Sequence, residues 1–236
     1  MILYEKVSEA VFLARPNRFI AQCQLPHGDI IEVHVANTGR CQELLIRGAQ
    51  VILAWASPGS KRKTPATLVA VKRGGQWINI DSQAPNRLVW SELQEGLVFP
   101  GIAGPYQGLK KEVKFENSRI DFSFRDRHGV KTWLEVKGVT LKVGERALFP
   151  DAPTLRGKRH LDELGELAQE NRAAVLFVIQ MEGIKTFQPN YQTHPEFAQS
   201  LKKAMEQGLE VFAWQCQVFP QGLKFHQTQR NVSLDI

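Results

Sequence analysis

Over the first eighty positions, apolar residues recur in short runs with a period of two. Ala10 to Ala14, Phe19 to Leu25, Ile30 to Val35, Gln50 to Ala56, Thr67 to Val71 and Trp77 to Ile80 read as strands. The third shows the pattern most plainly, with Ile31, Val33 and Val35 alternating against Glu32 and His34. Pro26-His27-Gly28-Asp29 and Asn37-Thr38-Gly39 supply turns. Cys41 to Ile46 is expected as a short helix or 3₁₀ segment. Five or six short strands with one short helix predict a small antiparallel β-barrel of the OB-fold type.

Beyond residue 84 the period changes. Asn86 to Glu95 is predicted helical, with Leu88, Val89 and Leu93 on one side and Glu92 and Glu95 on another. Phe99-Pro100-Gly101 and Gly104-Pro105 interrupt regular structure. Strands are expected from Val113, from Arg119 to Phe124 and from Trp133 to Lys137, the last two joined by a hairpin turn at Arg127-His128-Gly129. Lys158 to Asn171 and Pro195 to Gln207 read as helices, Gly208 stopping the second. Ala173 to Gln180 is nearly continuous in apolar residues, as a buried parallel strand is. Leu209 to Val218 is a last long strand. The pattern divides the chain near residue 84 into an OB-fold-like barrel domain (1–84) and a domain with a mixed central sheet (85–236), an α+β or α/β two-domain protein.

Composition adds a charge asymmetry. The chain of 236 residues carries a net charge of +6, and up to residue 86 ten Lys and Arg stand against six Asp and Glu, so most of the excess lies in the barrel. OB-folds bind single-stranded nucleic acid through basic and aromatic surfaces, and Lys61-Arg62-Lys63 in a Ser-, Gly- and Pro-flanked loop is a candidate phosphate contact. Trp55 and Trp77 are either stacking platforms or core. The three cysteines (23, 41 and 216) are widely spaced, which excludes a disulfide framework and zinc spacing. No apolar run approaches ~18 residues and no signal segment is visible, so a cytoplasmic protein without membrane contact is expected.

Candidate chemistry gathers on the hairpin between Arg119 and Lys137. On alternating strands Ile120, Phe122 and Phe124 share one face and Asp121 takes the other, while Leu134 and Val136 oppose Glu135 and Lys137. If both apolar faces meet one core, an Asp, a Glu and a Lys reach one surface, a set suited to a hard divalent cation and a phosphate. The alternative is a solvated outer face. Arg156 and His160 are four apart, on one face if the helix begins by Arg156, where they could meet a phosphate near its N-terminus. Bracing of the Asp151 loop is the other reading of Arg156.

A helix, a meander bearing Asp and then Glu-x-Lys, a helix and a strand together resemble the PD-(D/E)XK nuclease fold. Asn37-Thr38-Gly39, Lys61-Arg62-Lys63-Thr64, Asn86-Arg87-Leu88, Ser118-Arg119-Ile120-Asp121-Phe122, Glu135-Val136-Lys137-Gly138-Val139-Thr140-Leu141 and Phe149-Pro150-Asp151-Ala152-Pro153-Thr154-Leu155-Arg156-Gly157 occur in that order. Together they resemble the sugar fermentation stimulation protein A (SfsA) family over nearly the whole chain. The resemblance implies an OB-like N-terminal domain, a nuclease-like C-terminal domain and DNA binding without sequence preference. For some members it also implies regulation of sugar (maltose) metabolism genes. Carried over, it implies that Asp121, Glu135 and the Val136 carbonyl hold Mg²⁺ or Mn²⁺, with Glu92 or Glu116 as a further acid. Lys137 would orient or deprotonate the attacking water. Lys61, Arg62, Lys63, Arg119, Arg156 and His160 are the candidate nucleic-acid contacts. The chain departs from the family at His194-Pro195, where an acidic residue often precedes the proline. Two functions follow: a metal-dependent nuclease, or a non-enzymatic DNA-binding regulator.

Overall fold

Five strands carrying buried apolar residues close the N-terminal barrel. The computed structural model describes residues 1–236 other than Thr38, Arg40, Glu116 and Asn117. Strands β1 (Val7–Ala14), β2 (Ile20–Gln24), β3 (Ile30–Val35), β4 (Gln50–Trp55) and β5 (Ala66–Arg73) pair in the order β3-β2-β1-β4-β5. A short parallel pairing of His34 with Thr67 and Val35 with Leu68 joins the two ends and closes the barrel. Phe12, Ala21, Cys23, Val33, Val35, Val51, Leu53 and Leu68 fill the interior. Strand β6 (Gln76–Asn79) returns along β5 through Gly74 and Gly75, both at positive φ (56° and 79°), as a tight hairpin turn requires. The segment Cys41 to Ile46, expected as a short helix or 3₁₀ piece, is a single turn, in which the Leu44 and Leu45 amides bond the Cys41 carbonyl. Cys41 itself has a left-handed φ of 46°, which no helix accommodates.

Helix α1 (Ala84–Gln94) starts two residues before the predicted Asn86, because Pro85 suits a first helical turn. A six-stranded sheet follows in the order β15-β14-β12-β9-β8-β7, built from β7 (Gln107–Phe115), β8 (Ser118–Arg125), β9 (Lys131–Val139), β12 (Arg172–Ile179), β14 (Glu210–Phe219) and β15 (Gly222–Phe225). The pairings β9–β12 and β12–β14 are parallel and the outer ones antiparallel, giving the mixed sheet expected. β12 is buried on both faces, which accounts for its unbroken apolar sequence. Helix α1 covers one face, with Leu88, Val89 and Leu93 against Phe122, Phe124, Leu134 and Val136. Helices α2 (Leu155–Glu170) and α3 (Pro195–Glu206) cover the other, with Leu161, Leu164 and Leu201 against Trp133, Val175 and Phe177. A second, four-stranded sheet that the pattern did not predict is made of β10 (Leu141–Val143), β11 (Arg146–Phe149), β13 (Thr186–Pro189) and β16 (Ser233–Leu234).

Barrel and sheet are joined by a buried polar knot. Gln180, at the end of β12, donates through Nε2 to the Asn79 side chain (2.8 Å) and to the Asn79 and Asp81 carbonyls, while the Asn79 amide bonds the Gln180 carbonyl at 3.0 Å. Tyr4 donates to Asp81, which also pairs with Arg87. Gly138 on β9 is packed so closely that an added Cβ would lie 2.5 Å from the Gln180 Oε1 and 3.0 Å from Pro85. Among the described residues no helix is long and apolar enough to cross a membrane.

Candidate functional site

The ladder between β8 and β9 runs from Arg125–Lys131 to Phe122–Leu134 and stops there. Past that point side chains replace backbone partners. The Val136 N–H donates to Asp121 Oδ2 at 2.8 Å, and the Asp121 N–H reaches Glu135 Oε2 at 3.4 Å. The face pattern breaks at the same place. Phe122 and Phe124 lie under α1, but Ile120 joins the opposite core with Val113. The three apolar residues of β8 therefore do not share one face. The change falls opposite Glu112, which takes a left-handed φ of 49°.

Asp121, Glu135 and Lys137 are brought together, and under cover rather than on a solvated face. The Lys137 ammonium lies 2.5 Å from Glu135 Oε1, and Glu135 is 3% exposed. The other oxygen-bearing group, Asp121, accepts from Asn86 Nδ2 at 2.7 Å, a bond from the helix on the opposite side of the sheet. Asn86 stood in a sequence motif without an assigned role.

The cover is α2. Its N-cap Thr154 accepts from the Gly157 N–H at 3.0 Å and starts the helix at Leu155, so Arg156 and His160 do share a face. His160 does not reach the surface to meet a phosphate, which corrects that expectation. The residue is 2% exposed and its Nδ1 lies 2.6 Å from Glu135 Oε1. Arg156 Nε approaches His160 Nε2 at 3.4 Å. A guanidinium only donates, so Nε2 accepts and the ring proton sits on Nδ1, directed at the carboxylate. Sequence spacing places His160 beside Arg156. Its contact with Glu135 depends on how α2 packs.

Burial would raise the Glu135 carboxyl, but Lys137 and His160 outweigh it and hold the group down at about 2. Asp121 goes the other way. Burial first, and then the Glu135 charge, push it up to about 6 against the pull of the Val136 amide, Lys137 and Asn86. Two neighbouring carboxylates thus have opposite shifts, and a divalent cation between them would relieve the repulsion felt by Asp121. Among the described residues no three His, Cys, Asp or Glu side chains converge to hold an ion unaided. Two carboxylates with a backbone carbonyl, completed by water and substrate oxygens, are the usual provision for Mg²⁺, and the donor set fits that group.

The other candidates are dispersed. Glu92 sits two turns along α1 from Asn86, near Glu95, Arg230 and the N-terminal amine, so it does not join Asp121. Glu116 and Thr38 lie outside the described residues. Arg119 is exposed and paired with Glu112 at 3.0 Å. Lys61 and Lys63 are exposed, while Arg62 folds back to Thr67 (2.8 Å) and His34 (3.3 Å). Trp55 and Trp77 are half-buried against the cores. Arg156 contacts His160, while Asp151 packs beside Gly39, bringing two sequence motifs into contact. His194 does not cap α3 through its side chain. Its Nδ1 accepts from the Thr154 N–H at 3.4 Å and ties the starts of α2 and α3 together.

Residues 83–222 match the model of the sugar fermentation stimulation protein RE domain, and residues 13–80 match that of the SfsA N-terminal OB domain. The chain belongs to the SfsA family. Among SfsA relatives, the sugar fermentation stimulation protein homolog of Ruminiclostridium cellulolyticum is 43% identical over 217 residues, covering 91% of this chain and 92% of its own. The homolog of Clostridium botulinum is 41% identical over 231 residues, covering 97% and 98%. The structure of Pyrococcus furiosus SfsA in complex with Ca²⁺ superimposes with a TM-score of 0.86 at 26% identity, covering 98% of this chain and 97% of that one.

Proposed function

We propose that this SfsA protein binds DNA without sequence preference, through residues 1–84 together with the surface around α2, and that residues 85–236 carry a Mg²⁺- or Mn²⁺-dependent phosphodiesterase site. The observation that carries the reading is the convergence of Asp121, Lys137 and the buried Glu135. The Ca²⁺ complex of the Pyrococcus furiosus relative supports a cation site of hard oxygen ligands. A cytoplasmic location accords with a DNA substrate.

Asp121, Glu135 and the Val136 carbonyl would hold the cation, which would supply a water of lowered pKa and positive charge at the phosphate. The chain's own groups do the rest. Asn86 and the Val136 amide fix the Asp121 carboxylate. His160 holds Glu135 ionised through its Nδ1–H. The Lys137 ammonium can orient the attacking water and offset charge developing on the phosphate oxygens. Arg156, exposed beside His160, would meet a neighbouring phosphate. Cleavage of single- and double-stranded DNA with Mg²⁺ or Mn²⁺ tests the reading by comparing wild type, Asp121→Asn and Glu135→Gln. Loss of cleavage in both variants is expected, and equal cleavage by all three proteins would refute it.

The basic excess of the barrel favours a second reading, a non-enzymatic DNA-binding regulator of sugar metabolism genes. It predicts binding that needs no metal and weakens steeply with salt, together with no cleavage by the wild type.

A further inference from the structure

A second cationic site lies along the same strand as Asp121. Lys110, Arg125 and Lys131, with Val113 and Ser123, line a concavity of about 260 Å³ where β7, β8 and β9 meet. Arg125 and Lys131 are direct cross-strand partners, and Lys110 stands opposite Ser123 on the next strand. Like charges placed opposite one another destabilise a sheet. None of the residues lining the concavity is acidic. Glu112 and Asp126, the acids closest in sequence to Lys110 and Arg125, pair with Arg119 and Arg172. Lys131 is held in place by its position over the Trp133 ring, 3.7 Å from the centroid. Arg125 is steadied by donating to the Gly129 carbonyl at 2.8 Å. Burial and the two neighbouring cations lower the Lys131 ammonium's affinity for its proton, the mark of positive charge without a counter-ion. Arg125 lies four residues along β8 from Asp121, or about 13 Å at ordinary strand rise.

We infer that Lys110, Arg125 and Lys131 bind a backbone phosphate of the nucleic-acid strand about 13 Å from the candidate scissile position. The inference rests on the nucleic-acid reading above and extends it to a defined contact. Three cations around one small concavity match a phosphodiester oxygen pair, and the spacing would draw the strand across the sheet hairpin toward Asp121.

The test is the salt dependence of binding in EDTA, where cleavage plays no part. A labelled 20-nucleotide single strand and the matching duplex are titrated against wild type and Lys110→Gln/Arg125→Gln by fluorescence anisotropy. Lys131 is left in place because of its contact with Trp133. The double variant should bind about tenfold more weakly, with a log–log salt slope shallower by about one. Isothermal titration with inorganic phosphate forms a second arm. Weaker phosphate binding with unchanged oligonucleotide binding would make this a free-anion site and overturn the inference. Unchanged affinity and slope would also overturn it, while leaving the barrel contact standing. If wild type binds no oligonucleotide, the nucleic-acid reading itself fails. The predicted loss of affinity and slope sustains the inference whether or not the protein cleaves DNA.

Discussion

Removing the charge of Asp121 should make the metal-free protein more stable while removing a ligand of the proposed cation site. The carboxyl titrates near 6 in the fold against an ordinary value of 3.8. A folded pKa above the unfolded one means the native state binds more protons between those values, so stability falls as pH rises through them. Above both, the cost is about 3 kcal/mol, of which about 1.5 develops between pH 5 and pH 8. Asp121→Asn keeps an oxygen for the Val136 N–H, and the Asn86 amide can turn to accept from the new amide. The variant should therefore gain about 1–3 kcal/mol at pH 8 in EDTA, and clearly less at pH 5. Urea unfolding at the two pH values measures both. Added Mn²⁺ should then raise the wild-type midpoint and leave the variant unmoved. Glu135 acts in a separate window. Held at about 2 against an ordinary 4.5, it contributes stability above pH 4.5 that is lost as pH falls toward 2. A variant less stable than wild type at pH 8, or shifted equally at both pH values, would refute the electrostatic account of the site.

Three further changes probe its supports. His160→Ala removes the Nδ1–H donor to Glu135, and Mn²⁺ affinity by calorimetry should fall about 10- to 100-fold, with His160→Gln intermediate. Asp126→Ala strips a buried acceptor from the His128 and Val130 amides and from Arg172, and should cost about 2–4 kcal/mol in urea unfolding. Gly138→Ala drives a methyl against Gln180 and Pro85, and its thermal midpoint should report a loss of about 1–3 kcal/mol, whereas an unchanged midpoint would show the seam to be loosely packed.

Period-two alternation was enough to place Asp121, Glu135 and Lys137 on one side of a hairpin, and the apolar run of β12 made the central strand readable. Alternation assumes that a strand keeps its face, however, and β8 does not. Ile120 changes sides where the ladder to β9 has stopped and Glu112 is left-handed. The burial of the site could not be read either, because α2 lies over Glu135 through packing between segments remote in sequence. The strands β10, β11, β13 and β16 are two to four residues long. Apart from the short β10–β11 hairpin, their pairings cross tens of residues, so no local window carries their signal. Helix starts were legible to within a few residues, and Pro85 and Thr154 explain the remaining differences.

The seam at Gln180 has a consequence for how a captured strand would meet the chemistry. The same amide that fastens the barrel through Asn79 touches Gly138, the residue next to Lys137. A polymer gripped by the barrel would thus be tethered to the reactive groups through a stiff mount instead of a flexible linker. Its local concentration there would be set by geometry and would not decay with linker length. Weak, sequence-blind contacts spread over such a mount can add up to firm retention while each one stays individually exchangeable.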